Sequence, residues 1–251
     1  MGHRTWEDPL SFRKATLFGI STGFTLWSCL WTLQLVRPLA IDTSIRLVLC
    51  GALVLEVFLI TMQTWRGHES HFNHASALEA FIEAGMLLCI SIAMLGILWI
   101  TIRIWISNPR DNTSVTMRSA ARWGMLFLVV SAAIGYLITY LGYQQISLEN
   151  SPSLWNARGI LKFPHGASLH AIQVLALIGW LVEHRTKQNA LIWVHALVLA
   201  HMLWLGFALT QTFRGRGRFE MDWLGWLLFA GMFLTVLIPL IKIRSSRIYE
   251  A

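Results

Sequence analysis

Seven apolar stretches, each long enough to cross a lipid bilayer, constrain this 251-residue chain more than any other feature. Hydrophobic residues make up 55% of the sequence and charged residues 13%, too few charges to cover a water-soluble globule of this size. A membrane-spanning segment must satisfy its own backbone hydrogen bonds, so each stretch is predicted to be an α-helix. The chain is therefore predicted to be all-α, a seven-transmembrane-helix bundle forming a single membrane domain over residues 1–251. The predicted helices are about 15–36, 44–65, 78–106, 123–141, 167–182, 190–213 and 223–243.

The net charge of +7 comes mostly from arginine in short loops. In a membrane protein such charges indicate topology, so the expected partner is the lipid bilayer and no nucleic-acid partner is expected. Nine of the 20 Lys and Arg residues fall on the N-terminal side of the predicted bundle and eleven on the other side. This excess favours a cytoplasmic C-terminus and an N-terminus outside, in a bacterial cytoplasmic (inner) membrane. Cys29, Cys50 and Cys89 lie inside predicted helices without paired spacing, which favours neither a disulfide framework nor a zinc–thiolate site.

A five-residue pattern at the end of the second predicted helix returns near the end of the sixth. Gln63-Thr64-Trp65-Arg66-Gly67 matches Gln211-Thr212-Phe213-Arg214-Gly215 at four of five positions, an offset of 211 − 63 = 148. The same offset lays the first three helices on the last three and leaves the fourth as a linker. This predicts a 3+1+3 parallel repeat whose halves are related by an axis along the membrane normal. Coincidence between apolar helices of similar length is the alternative.

Histidines gather near the predicted ends of several helices. His71 follows the second helix, and His165 and His170 open the fifth, while Glu79 lies at the start of the third. Neutral imidazole is the commonest metal ligand, so these four residues are predicted to bind a transition metal such as Zn, Fe or Cu. The most specific form of this hypothesis is a haem ligated by His170 and either His71 or His201, in a redox role. Polar interfacial histidines are the alternative, since no tight ligand motif such as HExxH is present.

Transport is the rival hypothesis. Glu56 lies nine residues before Trp65, about 13 Å from the surface at ~1.5 Å per residue, and His201 lies near mid-membrane. Such groups are predicted to handle a proton or ion, against the alternative of a neutral, hydrogen-bonded side chain. A transporter or channel would bind a small polar or anionic solute through a further set of residues: Gln63, Arg66, Gln173, Gln211 and Arg214. A third alternative is an accessory subunit with a membrane-protein partner or as a homo-oligomer, and no catalytic residue is assigned.

Two local features add detail to the predicted third helix. Ser76 followed by Glu79 matches a capping box at its start. Arg103 near its end is predicted to extend its side chain to the membrane surface.

Three motifs resemble those of an uncharacterised bacterial family of polytopic membrane proteins. They are Arg66-Gly67-x-x-Ser70-His71-Phe72-Asn73, His165-x-x-x-x-His170-x-x-Gln173 and Gln211-x-x-x-Gly215. The resemblance covers most of the chain in outline. It implies a set of important positions, not an activity: Gln63, Arg66, His71, Glu79, His165, His170 and Gln173.

Overall fold

The computed structural model describes the backbone of residues 11–156, 158–186 and 190–248, and the side chains of residues 11–156, 158–185 and 190–237. The chain divides into two compact units, Met1–Arg110 and Asp111–Ala251. Unit 1 contains α1 (Arg13–Gln34), α2 (Ile41–Arg66) and α3 (Ala77–Ile106). Unit 2 contains α4 (Val115–Ser147), α5 (Lys162–Leu169), α6 (Ala171–Thr186), α7 (Ala190–Phe213) and α8 (Trp223–Ile248). Two short strands, β1 (Leu154–Trp155) and β2 (Gly159–Ile160), form an antiparallel hairpin between α4 and α5.

Five helical segments within the described residues are long and apolar enough to cross a membrane. They are α2, α3, α4, α7 and the combined span of α5 and α6 from Lys162 to Arg185. These segments fit an integral membrane protein in contact with lipid. The predicted first helix, α1, is long enough to cross a membrane, but its Ser, Thr and Gly residues lower its mean hydropathy below that of a membrane span. In α8 the apolar part with described side chains, Trp223–Leu237, is too short to cross a membrane. The seven-helix bundle, the single domain and the sidedness stay predictions.

The predicted helix bounds differ most from the structure in unit 2. The predicted helix 123–141 is part of α4, which is 33 residues long because the helix continues past the apolar segment into polar residues at both ends. Ser114 caps its start by accepting a hydrogen bond from the Met117 N–H at 3.0 Å. The predicted helix 167–182 begins earlier and is broken at His170, where α5 ends and α6 begins.

In unit 1 the helices α2 and α3 run antiparallel along a buried seam. Asp42 contacts Arg103, Leu49 contacts Gly96, and Glu56 lies within electrostatic range of Cys89. Each step of seven residues forward along α2 is therefore a step of seven backward along α3. This spacing keeps the contacting residues on one face of each helix, as in the packing of left-handed bundles. α1 packs beside the seam, where Ala15 joins an apolar cluster with Ile60, Ile82 and Met86.

Unit 2 is built on α4, which contacts α5, α6 and α7, while α8 packs against α7. α4 and α6 approach closely: a Cβ added to Gly124 would lie 2.7 Å from the Ile172 Cα atom. Only glycine therefore fits at position 124 without separating the two helices. One core cluster of this unit consists of small and branched apolar residues and a phenylalanine: Ala120, Phe127, Ala171, Leu175, Val194, Leu197 and Val198.

Candidate functional site

A buried polar network closes one end of the seam in unit 1. The Glu79 carboxylate accepts hydrogen bonds from the Gln63 amide and from the Arg66 guanidinium, the latter at 2.6 Å. Arg66 also donates to the Gln63 Oε1 atom at 2.6 Å, so the three side chains form a closed triangle. Gln63 is 1% exposed and Glu79 3% exposed, whereas 32% of the Arg66 side chain remains accessible. The network thus satisfies a buried carboxylate and still presents part of a cation at the surface.

Helix capping positions these three residues. α2 ends at Gly67, whose φ of 76° lies in the left-handed region, and the His68 N–H bonds back to the Gln63 carbonyl at 3.0 Å. This is a Schellman arrangement, and it fixes the direction in which Gln63 and Arg66 leave the helix. The predicted capping box is half formed: Ser76 accepts from the Glu79 N–H at 3.3 Å, but the Glu79 carboxylate turns to Arg66.

The loop between α2 and α3 is held by the second carboxylate of α3. Glu83 accepts the N–H groups of Phe72 at 2.7 Å and Asn73 at 3.0 Å, and the exposed His74 lies 3.1 Å from it. Phe72 has a φ of 60°, an uncommon conformation for a bulky residue, and these two hydrogen bonds stabilise it. The loop conformation that presents His71 is therefore specified by Glu83, a residue that the sequence motifs do not single out.

His71 itself lies in a cluster with a serine and a lysine. Its Nδ1 atom is 3.0 Å from the Ser70 Oγ atom and 3.2 Å from the Lys14 Nζ atom, and Lys14 donates to Ser70 at 2.6 Å. This ring nitrogen is thus occupied by polar partners. The sequence does not indicate Lys14, on α1, as a partner of His71, because the two residues are 57 positions apart.

The predicted histidines and glutamine of unit 2 lie at its helix ends or on partly buried helix faces. The His165 Nδ1 atom lies 2.8 Å from the Ser131 carbonyl oxygen, and the Ser131 hydroxyl donates to the His165 carbonyl at 3.0 Å. His170 is exposed at the break between α5 and α6. His201 is partly buried and bonds through Nδ1 to the Leu197 carbonyl at 2.9 Å, the hydrogen-bonded alternative to an ion-handling role. Both amide atoms of Gln173 are buried and have no hydrogen-bond partner among the described residues.

The second copy of the five-residue pattern makes a different network. Gln211, fully buried, donates to the Glu220 carbonyl at 2.7 Å, and Arg214 pairs with Asp222 at 2.7 Å. Arg216 pairs with the same carboxylate at 2.6 Å. The Gly225 N–H and these two guanidinium groups lower the pKa of Asp222 below its usual range. Asp222 also caps α8 through that N–H, so one carboxylate links the end of α7 to the start of α8.

Glu56 lies on the buried face of α2 between two ion pairs. It is 3% exposed, and its Oε2 atom has no hydrogen-bond partner in the described part of the chain. The ion pair Arg66–Glu79 lies ten residues beyond it, and at the other end of the seam Arg103 lies 3.2 Å from Asp42. Leu49 and Ile60, both 0% exposed, separate Glu56 from the two ends.

Arg103 was predicted to extend its side chain to the membrane surface, but the structure buries it within the protein. Arg103 is 6% exposed and donates to the Arg37 carbonyl at 2.7 Å as well as to Ser107 and Asp42. The buried carboxylate of Asp42 lies within reach, so the guanidinium forms an ion pair inside the protein in place of contact with water. Asp42 was missed from sequence, although it precedes Glu56 by two heptads on the same face of α2.

The four predicted metal ligands are divided between the units, with His71 and Glu79 in unit 1 and His165 and His170 in unit 2. Among residues 11–156, 158–185 and 190–237, whose side chains the structure describes, no group of three or more His, Cys, Asp or Glu is placed to hold a metal ion. Comparison of the chain with protein-family models, curated proteins and solved structures gave no match. Metal binding, haem binding and the family resemblance therefore stay predictions, without support from this geometry.

Proposed function

We propose that this integral membrane protein is a carrier in which Glu56 takes up and releases a proton while a small polar or anionic solute moves. The observation behind this proposal is a carboxyl group within a helix long and apolar enough to cross a membrane, 3% exposed, with an oxygen that lacks a hydrogen-bond partner in the described chain. Buried polar groups with a purely structural role are normally hydrogen-bonded. An ionisable side chain inside a membrane is costly and by default marks an ion or proton pathway.

The two ion pairs of the seam support a pathway along unit 1. From Asp42 to Arg66 the helix α2 rises over 24 residues, about 36 Å at ~1.5 Å per residue, which exceeds the hydrocarbon thickness of about 30 Å. The two pairs therefore lie near opposite surfaces, with Glu56 between them. Leu49 and Ile60, both fully buried, lie on either side of Glu56 along α2.

The network at the Arg66 end suggests how an anion would enter. Arg66 is the partly exposed member of the pair, and Glu79 is the buried one. An arriving anion would compete with Glu79 for the guanidinium, which binds carboxylate and phosphate groups in similar geometry. Release of Glu79 would loosen the contact between the end of α2 and the start of α3.

We also infer an internal repeat between the two halves of the chain. Gly67 and Gly215 both have left-handed φ values, 76° and 67°, and in each copy the next N–H bonds to the glutamine carbonyl at 3.0 Å. In each copy the arginine pairs with a carboxylate near the start of the following helix. Such caps are common at helix ends, so the matching ion pair is the stronger argument. An experimental structure in which α1–α3 did not superpose on α5–α8 would contradict the repeat.

Proton movement in proteoliposomes tests the carrier proposal. A pH-sensitive dye inside the vesicles would report proton entry when a potassium diffusion potential is imposed, with solutes added in turn. Replacing Glu56 by Gln should abolish proton entry, because the amide keeps the shape of the side chain but binds no proton. Glu69→Gln is the matched control, since Glu69 is an exposed carboxylate in the loop after α2.

Infrared difference spectroscopy gives a second readout that does not depend on knowing the solute. A protonated buried carboxyl gives a band that the Glu56→Gln variant should lack and the Glu69→Gln variant should keep. Two results together would contradict the proposal. The wild type would show no more proton entry than empty vesicles with every solute tested, and the Glu56 carboxyl band would not change with pH while the protein stays folded.

A further inference from the structure

A shallow apolar groove lies between α4, α5 and α7 of unit 2. Ile134, Leu137 and Leu141 contribute one face of α4 to it, and the opposite wall comes from Leu161 before α5 and Phe213 at the end of α7. From Ile134 to Leu141 the groove follows α4 for about 10 Å at ~1.5 Å per residue. Leu137 is 40% exposed, so the groove opens to the surroundings of the helix bundle. At membrane depth those surroundings are lipid acyl chains.

Positive charges flank one end of this groove. Lys162 follows Leu161 and Arg214 follows Phe213, so two lining residues are each next to a cation. Arg158, Arg216 and Arg218 lie in the same hairpin and loop. Three of the arginines pair with two carboxylates: Glu220 lies 3.3 Å from Arg158, and Asp222 lies 2.7 Å from Arg214 and 2.6 Å from Arg216. The cluster therefore has an excess of positive charge where α7 and the hairpin reach the surface.

Arg218 is the cation of this cluster that has an aromatic contact in place of an ion pair. Its guanidinium lies 5.8 Å from the ring centroid of Phe163, and no carboxylate contacts it within the described ranges. Arg158 is 71% exposed and its partner Glu220 is 46% exposed, so water screens that pair. Both guanidinium groups are available to an anion from outside the chain.

Exposed aromatic residues place this end of unit 2 at headgroup level. Phe219 is 68% exposed, Trp223 74% and Trp226 59%, and all three lie within or just after the arginine-rich loop. Tryptophan is enriched where a membrane protein crosses the lipid headgroup region. The arginines are thus expected at the depth of lipid phosphates, and the groove at the depth of acyl chains.

We propose that the groove and the basic cluster form a binding site for one anionic phospholipid. One acyl chain lies in the groove along Ile134, Leu137 and Leu141, and the phosphate lies among the guanidinium groups that include Arg158 and Arg218. Apolar contact alone would not distinguish lipids, so the positive charge supplies the preference for an anionic headgroup. This site is independent of Glu56, which belongs to unit 1.

Native mass spectrometry of the detergent-solubilised protein, with phosphatidylglycerol or phosphatidylcholine added, tests the proposal. The wild type should retain one phosphatidylglycerol and bind phosphatidylcholine more weakly. The double variant Arg158→Gln/Arg218→Gln should bind phosphatidylglycerol about thirtyfold more weakly, from about fivefold per cation near a headgroup. Leu137→Trp, which fills the groove, should weaken both lipids. Arg185→Gln is the control, because Arg185 is an exposed arginine at the far end of α6 and should leave lipid binding unchanged.

Two further measurements distinguish a site for a whole phospholipid from a site for a free phosphate or for any acyl chain. Glycerol phosphate, which has the headgroup chemistry without acyl chains, should compete poorly with phosphatidylglycerol. Raising the salt concentration should weaken phosphatidylglycerol binding to the wild type and leave phosphatidylcholine binding unchanged, a test that needs no variant. Equal binding of the two lipids, equal loss in the Arg185 control, or full competition by glycerol phosphate would each overturn the proposal.

Discussion

Replacing Asp42 by Asn tests the buried ion pair at one end of the seam. Asp42 is 2% exposed and Arg103 6%, and their nearest oxygen and nitrogen atoms lie 3.2 Å apart. Asparagine keeps an oxygen that can accept from the Leu39 N–H, now 2.8 Å from Asp42, so the start of α2 remains capped. The variant therefore removes the negative charge and little else, leaving a buried guanidinium without a counterion.

Removing one partner of a buried pair costs about 3–5 kcal/mol. Arg103 keeps the Arg37 carbonyl and the Ser107 hydroxyl as acceptors, so the lower end, about 3 kcal/mol of unfolding free energy, is expected. That corresponds to a change of about a hundredfold in the ratio of folded to unfolded protein. Arg103→Met removes the remaining charge, so the double variant should be more stable than the sum of the two single effects predicts, by about 2 kcal/mol.

Unfolding by sodium dodecyl sulfate in mixed micelles, followed by far-UV circular dichroism, measures both effects. Arg110→Met is the control, because Arg110 is exposed in the loop after α3 and its replacement should cost less than about 0.5 kcal/mol. An Asp42→Asn variant as stable as this control, or strictly additive single and double variants, would refute the assignment of a coupled buried pair.

Three further predictions concern other parts of the molecule. Folding lowers the pKa of Asp222, so the stability that Asp222 contributes is complete above its unfolded pKa of about 3.9 and is lost as the pH falls through the lower folded pKa. In thermal unfolding scans, Asp222→Asn should remove this acid-dependent loss of stability. Gly124→Ala should lower the unfolding free energy by about 1–3 kcal/mol because the new methyl group meets Ile172, whereas Gly206→Ala, with open space at its Cβ position, should not destabilise the same unit. If the sequence-based haem prediction is right, the purified protein shows a Soret band that His170→Ala removes, and a folded, colourless, metal-free sample contradicts it.

Helices flanked by clear polar breaks were the part of the fold most readily predicted. The predicted 190–213 and 78–106 agree with α7 and α3 to within one residue, because long apolar runs there end at charged or turn-forming residues. α4 exceeds its prediction by eight residues at the start and six at the end. Hydropathy indicates where the apolar segment ends, whereas a helix continues until its terminal hydrogen bonds are capped. Ser114 caps α4 without the acidic residue of a capping box, so the sequence carries no clear signal for this start.

The candidate site was predictable where its residues are near one another in the chain. Gln63, Arg66 and Glu79 flank one turn, so their proximity follows from the helix ends. Arg103 and Asp42 are 61 residues apart, and their pairing depends on the register of two antiparallel helices, which charge and hydropathy alone do not specify. The sequence does indicate which face of α2 is polar, because Asp42, Glu56 and Gln63 are separated by multiples of seven residues and so lie on one face.

The two ion pairs also restrict how α2 and α3 can move past each other. Sliding by one turn would separate Asp42 from Arg103 and Arg66 from Glu79 together, and would break both ion pairs at once. Pivoting about one intact pair breaks only the other. Opening one end of the α2–α3 pair by rotation about the other end therefore costs one ion pair, whereas sliding costs both.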